Sequence, residues 1–108
     1  MSLPYDNLEV ITKQLWAAAN SRSMCSVKLN DENGYRIIHP HGIFMSRQKK
    51  LTIACWQRSG FSEKGIKEGY KNLSLEKCEV VMVTSKKFYK RKDFNPKDTQ
   101  YGEWLFHI

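Results

Sequence analysis

From Met24 onward the apolar residues of this chain recur at every second position, and that period limits the fold more than any other feature. Cys25, Val27 and Leu29 alternate with Ser26, Lys28 and Asn30, the pattern of a strand with one face on a core and the other toward water. Asp31-Glu32-Asn33-Gly34 follows, and Asn-Gly tolerates the positive φ that a tight hairpin demands. Tyr35 to His39 is then the return strand. Pro40 has no N–H to give and precedes His41-Gly42, so a bend or bulge is expected there. Ile43 to Ser46 and Leu51 to Gln57 flank Arg47-Gln48-Lys49-Lys50, a second hairpin with a basic tip. Leu51, Ile53 and Cys55 are expected on one face of that strand, with Thr52, Ala54 and Trp56 on the other. Arg58 to Gly69, carrying Gly60, Gly65 and Gly69, reads as a long loop before two further strands, Tyr70 to Leu75 and Glu79 to Thr84.

Ahead of the strands the period is helical. Asp6 and Glu9 have the spacing of a capping box, and Leu8, Ile11, Leu15 and Ala18 or Ala19 follow at helical intervals. A helix is expected from about Asn7 to Asn20, lying across the sheet through a narrow stripe. Ser85 to Phe94 reads as irregular and basic. Asn95-Pro96 with Asp98 has the form of a helix start, so a short C-terminal helix carrying Tyr101, Trp104, Leu105 and Ile108 is expected. The resulting fold class is mainly β (α+β): one domain over residues 1–108, with an N-terminal helix, a bent antiparallel sheet closed or nearly closed as a small barrel, and a short C-terminal helix.

A chain of 108 residues holds one core, and 41% apolar content is ordinary for a globular protein. The longest apolar run is Val80-Val81-Met82-Val83, far short of the ~18 residues a membrane helix needs. No basic stretch leading into an apolar one marks a secretory leader. Cys25, Cys55 and Cys78 are an odd count without a C-x-x-C pair, which points to reduced core thiols and a cytoplasmic location. No metal-ligand spacing stands out. His39-Pro40-His41 would share a side on a regular strand, but proline breaks that geometry, which favours a hydrogen-bonded histidine at the bend. Phosphate-loop, dinucleotide and zinc-protease motifs are missing from the sequence. The expectation is a non-enzymatic protein with no cofactor and no metal.

The formal charge of +7 is unevenly placed. Lys86, Lys87, Lys90, Arg91 and Lys92 cluster around Phe88 and Tyr89, and Arg47, Lys49 and Lys50 form a second group. Such a field draws nucleic acid, nucleotides or an acidic protein face; a solvated surface that maintains solubility is the alternative reading.

Arg36-Ile37-Ile38-His39-Pro40-His41-Gly42-Ile43 has the form R-x-x-x-P-x-G-φ, and in this segment the chain resembles the WYL-type module of bacterial regulators. Leu51 to Trp56 is similar to its signature strand, and Lys71 to Cys78 to its R-T-F-R-L-D-R-I segment. Phe88 and Asp93-Phe94 fall where that family has a phenylalanine and a later D-F pair. Gly69-Tyr70-Lys71 matches the entry of short stand-alone members. The tripeptide that names the family is Leu51-Thr52-Ile53 here. Lys71 and Lys77 replace arginines and Glu76 replaces aspartate, which keeps charge but not arginine's bidentate fork.

The resemblance implies a Sm-like β-barrel that binds nucleic acid or a nucleotide-like anion and tunes bacterial transcription or phage defence. Arg36, Trp56, Lys71 and Lys77 are the expected ligand site, with Trp56 as a stacking platform, and Lys86, Lys87, Lys90, Arg91 and Lys92 the anion-attracting surface. The alternative is a protein-interaction subunit, assembling with itself or a partner through a sheet edge or through Trp104-Leu105-Phe106.

Overall fold

The computed structural model describes the backbone of residues 4–62, 65 and 68–108 and the side chains from Leu8 onward. Helix α1 (Pro4–Ser21) precedes strands β1 (Ser23–Leu29), β2 (Arg36–Met45), β3 (Leu51–Gly60), β4 (Gly69–Ser74), β5 (Cys78–Lys87) and β6 (Glu103–His107). The strands form one sheet in the order β4-β3-β2-β1-β5, with β6 added on β2 and every pair antiparallel. The sheet is open: β4 and β5 end it, and no ladder joins them among the described residues.

The stripe on α1 does what its spacing implies. Ile11, Leu15 and Ala18 meet Cys25, Val27, Ile38, Ile43, Ile53, Cys55, Leu73 and Val81 in one aliphatic core on one face of the sheet. The helix begins at Pro4, earlier than its apolar pattern suggests, because proline suits a first turn whose N–H groups lack partners. Asp6 therefore falls inside the helix rather than capping it, and its side chain lies outside the described part of the chain.

β2 runs unbroken through Pro40, and its pairing explains how. Arg36 to Ile38 pair with β1, whereas Gly42 to Met45 pair with β6 on the same edge. Pro40 falls in the interval between these two neighbours, where no N–H is needed. On the β3 side a bulge between Pro40 and Gly42 leaves His41 as the extra residue. β6 crosses close over Gly42: a Cβ there would lie 2.5 Å from the Phe106 carbonyl oxygen.

Two expectations are corrected. The C-terminal helix is a strand, β6, in which half-buried Trp104 and Phe106 alternate with exposed Glu103, Leu105 and His107. The Asn95 and Asp98 side chains accept from the N–H groups of Lys97 and Gln100, two residues on in each case. These residues make successive turns, which compete with a helix for the same backbone donors. The loop expected from Arg58 is likewise shorter, because β3 continues to Gly60; β5 similarly extends through Lys87.

Candidate functional site

The register places Trp56 of β3 beside His39 of β2 and Tyr70 of β4, all on the face of the sheet turned away from α1. Residues 88–102 fold over part of that face. Phe94, Tyr101 and Trp104 pack with Phe44 and His41, and Phe88 stacks on His39 at 4.8 Å. The sheet thus has an aliphatic core on one side and an aromatic one on the other.

At the border of this aromatic layer the Arg91 guanidinium lies 3.5 Å from the centre of the Trp56 ring, a cation–π contact. Tyr70 meets the same indole edge-on at 5.1 Å. The Tyr70 hydroxyl donates to Asp93 at 2.7 Å, and Arg91 Nε donates to the same carboxylate oxygen at 3.4 Å. The Tyr70 hydrogen bond, reinforced by Arg91, holds the Asp93 carboxyl below the usual carboxylate range. Burial, then that same bond, pushes the Tyr70 phenol up to about 12. Trp56 Nε1 donates to Glu68 at 3.3 Å, and Arg58 pairs with Glu68 at 3.6 Å.

Beneath this group His41 is fully buried. Its Nδ1–H donates to the His39 carbonyl at 2.8 Å, and its Nε2 accepts the Arg91 backbone N–H at 3.3 Å. This is the hydrogen-bonded histidine expected at the bend, and it tethers the segment that carries Arg91. Burial lowers the pKa of both His39 and His41 from the ordinary 6.5, so each is held neutral. Among the described residues, Nε2 of His39 is buried without a hydrogen-bond partner.

The expected ligand residues do not all converge. Arg36 is on the α1 side, where Nε and Nη2 donate bidentately to Glu32 at 2.9 and 2.5 Å and Nη1 donates to Gln57 at 2.6 Å. Lys77, in the turn between β4 and β5, pairs with Asp31 at 3.0 Å. Arg36 and Lys77 share a hollow of about 290 Å³, but Asp31 and Glu32 line it too, so each cation there faces a carboxylate. Lys71 pairs with Cys55 in register and stands on the α1 side, opposite Trp56. Of the basic surface, Arg91 caps Trp56, Lys87 donates to the Ser21 carbonyl and Ser23 hydroxyl, and Lys86, Lys90 and Lys92 are exposed. Burial raises the thiols of Cys25 and Cys55 to about 12 and that of Cys78 to about 11, which keeps all three protonated and poorly nucleophilic at neutral pH.

A second concavity lies on the same outer face, where residues 88–102 give no cover. It measures about 490 Å³, with Met24 and Ile37 as floor and Arg58 and Lys86 at its margin. Arg58 is the extra residue of a β3 bulge between Gln57 and Ser59, a feature invisible to the alternating pattern. Among the described residues no cluster of His, Cys, Asp and Glu could hold a metal ion, and no helix is long and apolar enough to cross a membrane. No family model, curated protein or solved structure matches the chain.

Proposed function

We propose that this chain is a regulatory binding module for nucleic acid or a nucleotide-like anion, held on the sheet face turned away from α1. The observation that carries the reading is the Arg91 guanidinium stacked on Trp56, with exposed Lys90 and Lys92 as its chain neighbours. A guanidinium plane backed by an indole offers a base a flat cationic surface, and the flanking ammonium groups attract phosphates. The sequence resemblance to WYL-type modules supports the same ligand class. It brings with it the Sm-like barrel as the parent architecture and transcription or phage-defence control in bacteria as the role, while the three cysteines without a C-x-x-C pair favour the cytoplasm as the location.

The test is a binding screen against single-stranded DNA, RNA and mononucleotides at two salt concentrations. Affinity for single strands should fall with salt at a log–log slope of about 0.7 per phosphate neutralised. Replacing Lys90, Arg91 and Lys92 together with alanine should flatten that slope and weaken every sequence alike. Trp56→Ala should leave the slope nearly intact yet lose about 1–3 kcal/mol of binding, through the platform a base stacks on. No salt-dependent association at low ionic strength would end the proposal.

A protein-interaction subunit is the second reading, favoured by one observation. β5 forms an edge of the sheet, and Met82 and Val83 on it are half exposed. The C-terminal aromatics support it less, because Trp104 packs on Phe44 and Phe106 on the aliphatic core.

A further inference from the structure

We infer that the uncovered hollow over Met24 and Ile37 is a binding site for a small aromatic acid, a flat apolar ring carrying one anionic oxygen group. Its size, about 490 Å³, is in the range that holds small ligands. The floor is apolar, on a part of the outer face that the 88–102 segment leaves open. That cover starts at Phe88, whose N–H is tied to the Arg22 carbonyl at 2.8 Å, so it begins just beyond Lys86 and turns away from the hollow. Among the described residues, Met24 and Ile37 therefore stay available to a ring from solution.

The margin supplies charge and directed polarity. Lys86 is exposed and without a salt-bridge partner among the described residues. Among the described residues Arg58 is held only by the 3.6 Å pair with Glu68, in which both side chains are more than half exposed. Such a pair is weak and easily redirected toward an incoming anion. The hydroxyls of Ser59 and Ser85 make no hydrogen bond among the described residues, which leaves two donors for the same group. The Thr84 hydroxyl, by contrast, is committed: it donates to the Met24 carbonyl at 2.8 Å and accepts the Lys86 N–H at 3.2 Å. It fixes the strand geometry at the rim and leaves recognition to its neighbours. Two cations, two unengaged hydroxyls and an apolar floor select an anion with a flat apolar body. A bare inorganic anion would leave the floor wet, and a neutral ring would leave the charges unused.

The site shares only Lys86 with the expected nucleic-acid surface and does not depend on Trp56 or Arg91. The test is a titration of the uniformly nitrogen-labelled protein with 1-naphthoate, followed by amide chemical shifts, with 1-naphthalenemethanol as the neutral counterpart. Saturable one-to-one binding is expected, with shifts centred on Met24, Ile37, Ser59, Thr84 and Ser85. The neutral compound should bind roughly tenfold more weakly, since it lacks the charge-assisted hydrogen bonds. Arg58→Gln and Lys86→Gln should each weaken naphthoate several-fold, while Lys50→Gln on the distant hairpin should not. The two altered side chains are at the surface, so the variants' spectra should retain native dispersion, and Ile37→Ser provides an independent loss of the floor. Equal affinity for the neutral compound, shifts centred elsewhere, or indifference to both charge substitutions would overturn the assignment. None of those outcomes bears on salt-dependent oligonucleotide binding, which reads the other site.

Discussion

Substituting Arg36 decides whether that arginine meets a ligand or holds the hairpin it belongs to. Its side chain is 8% exposed and that of its partner Glu32 is 4% exposed. Arg36→Met would leave the Glu32 carboxylate and the Gln57 side-chain oxygen buried without their donors. Breaking a buried ion pair from one side costs about 3–5 kcal/mol, because the remaining charge has neither water nor counterion. That is a large share of the ~5–15 kcal/mol typical of a domain. Exchanging both partners, as Glu32→Gln with Arg36→Met, removes the stranded charge, so the double variant should be more stable than the two single losses added together. Urea unfolding followed by tryptophan fluorescence, on all four proteins, measures this coupling, expected at about 1–3 kcal/mol. Oligonucleotide affinity of folded Arg36→Met should be unchanged. A stability loss below ~1 kcal/mol, or simple additivity, would refute the argument from burial. Lost affinity with intact stability would return Arg36 to the ligand.

Leu15→Ala should lower stability by about 2–5 kcal/mol in the same assay, because the leucine is fully buried between α1 and the sheet. Gly42→Ala should cost about 1–3 kcal/mol or more and loosen β6, read as lost amide protection at Phe106, since the new methyl meets a backbone carbonyl that cannot move away cheaply. Stability should be full above pH 6.5, the ordinary histidine value, and decline below it toward the lowered pKa values of partly buried His39 and buried His41. The unfolded chain takes up protons there that the folded one refuses, at most about 1.4 kcal/mol per pH unit for each histidine. Urea midpoints that stay flat from pH 7.5 to 5 would contradict the neutral assignment.

The aliphatic half of this fold was legible because it is periodic. The 3.6-residue stripe on α1 and the two-residue alternation of β1 and β3 each name a buried face, and those faces meet in one core. The C-terminal segment was misread because Asn95, Pro96 and Asp98 serve a helix start and a run of tight turns equally well. Only packing chooses between them, and here Trp104 Nε1 donates back to the Pro96 carbonyl at 2.8 Å, with its ring against Phe44. The second, aromatic core is likewise assembled from residues far apart in the chain, which no local pattern joins.

The site was harder to read for a related reason: bulges decide it. Alternation predicts a face for every strand residue, but one extra residue locally re-aims the side chain that carries it. In β2 the extra residue is His41, placed where its ring accepts the Arg91 N–H and anchors the segment that lays a guanidinium on Trp56. In β3 it is Arg58, which brings a cation to the margin of the open hollow. Arg36 shows the converse. An arginine among apolar strand residues has the same sequence signature whether it waits for an anion or already holds one. The deciding partner, Glu32, is four positions away across a hairpin turn, where spacing alone does not reveal a bidentate contact. Charge clusters in the sequence therefore locate the field around this protein, whereas two of the register shifts in the sheet, those in the β2–β3 ladder, position the groups proposed to meet a ligand.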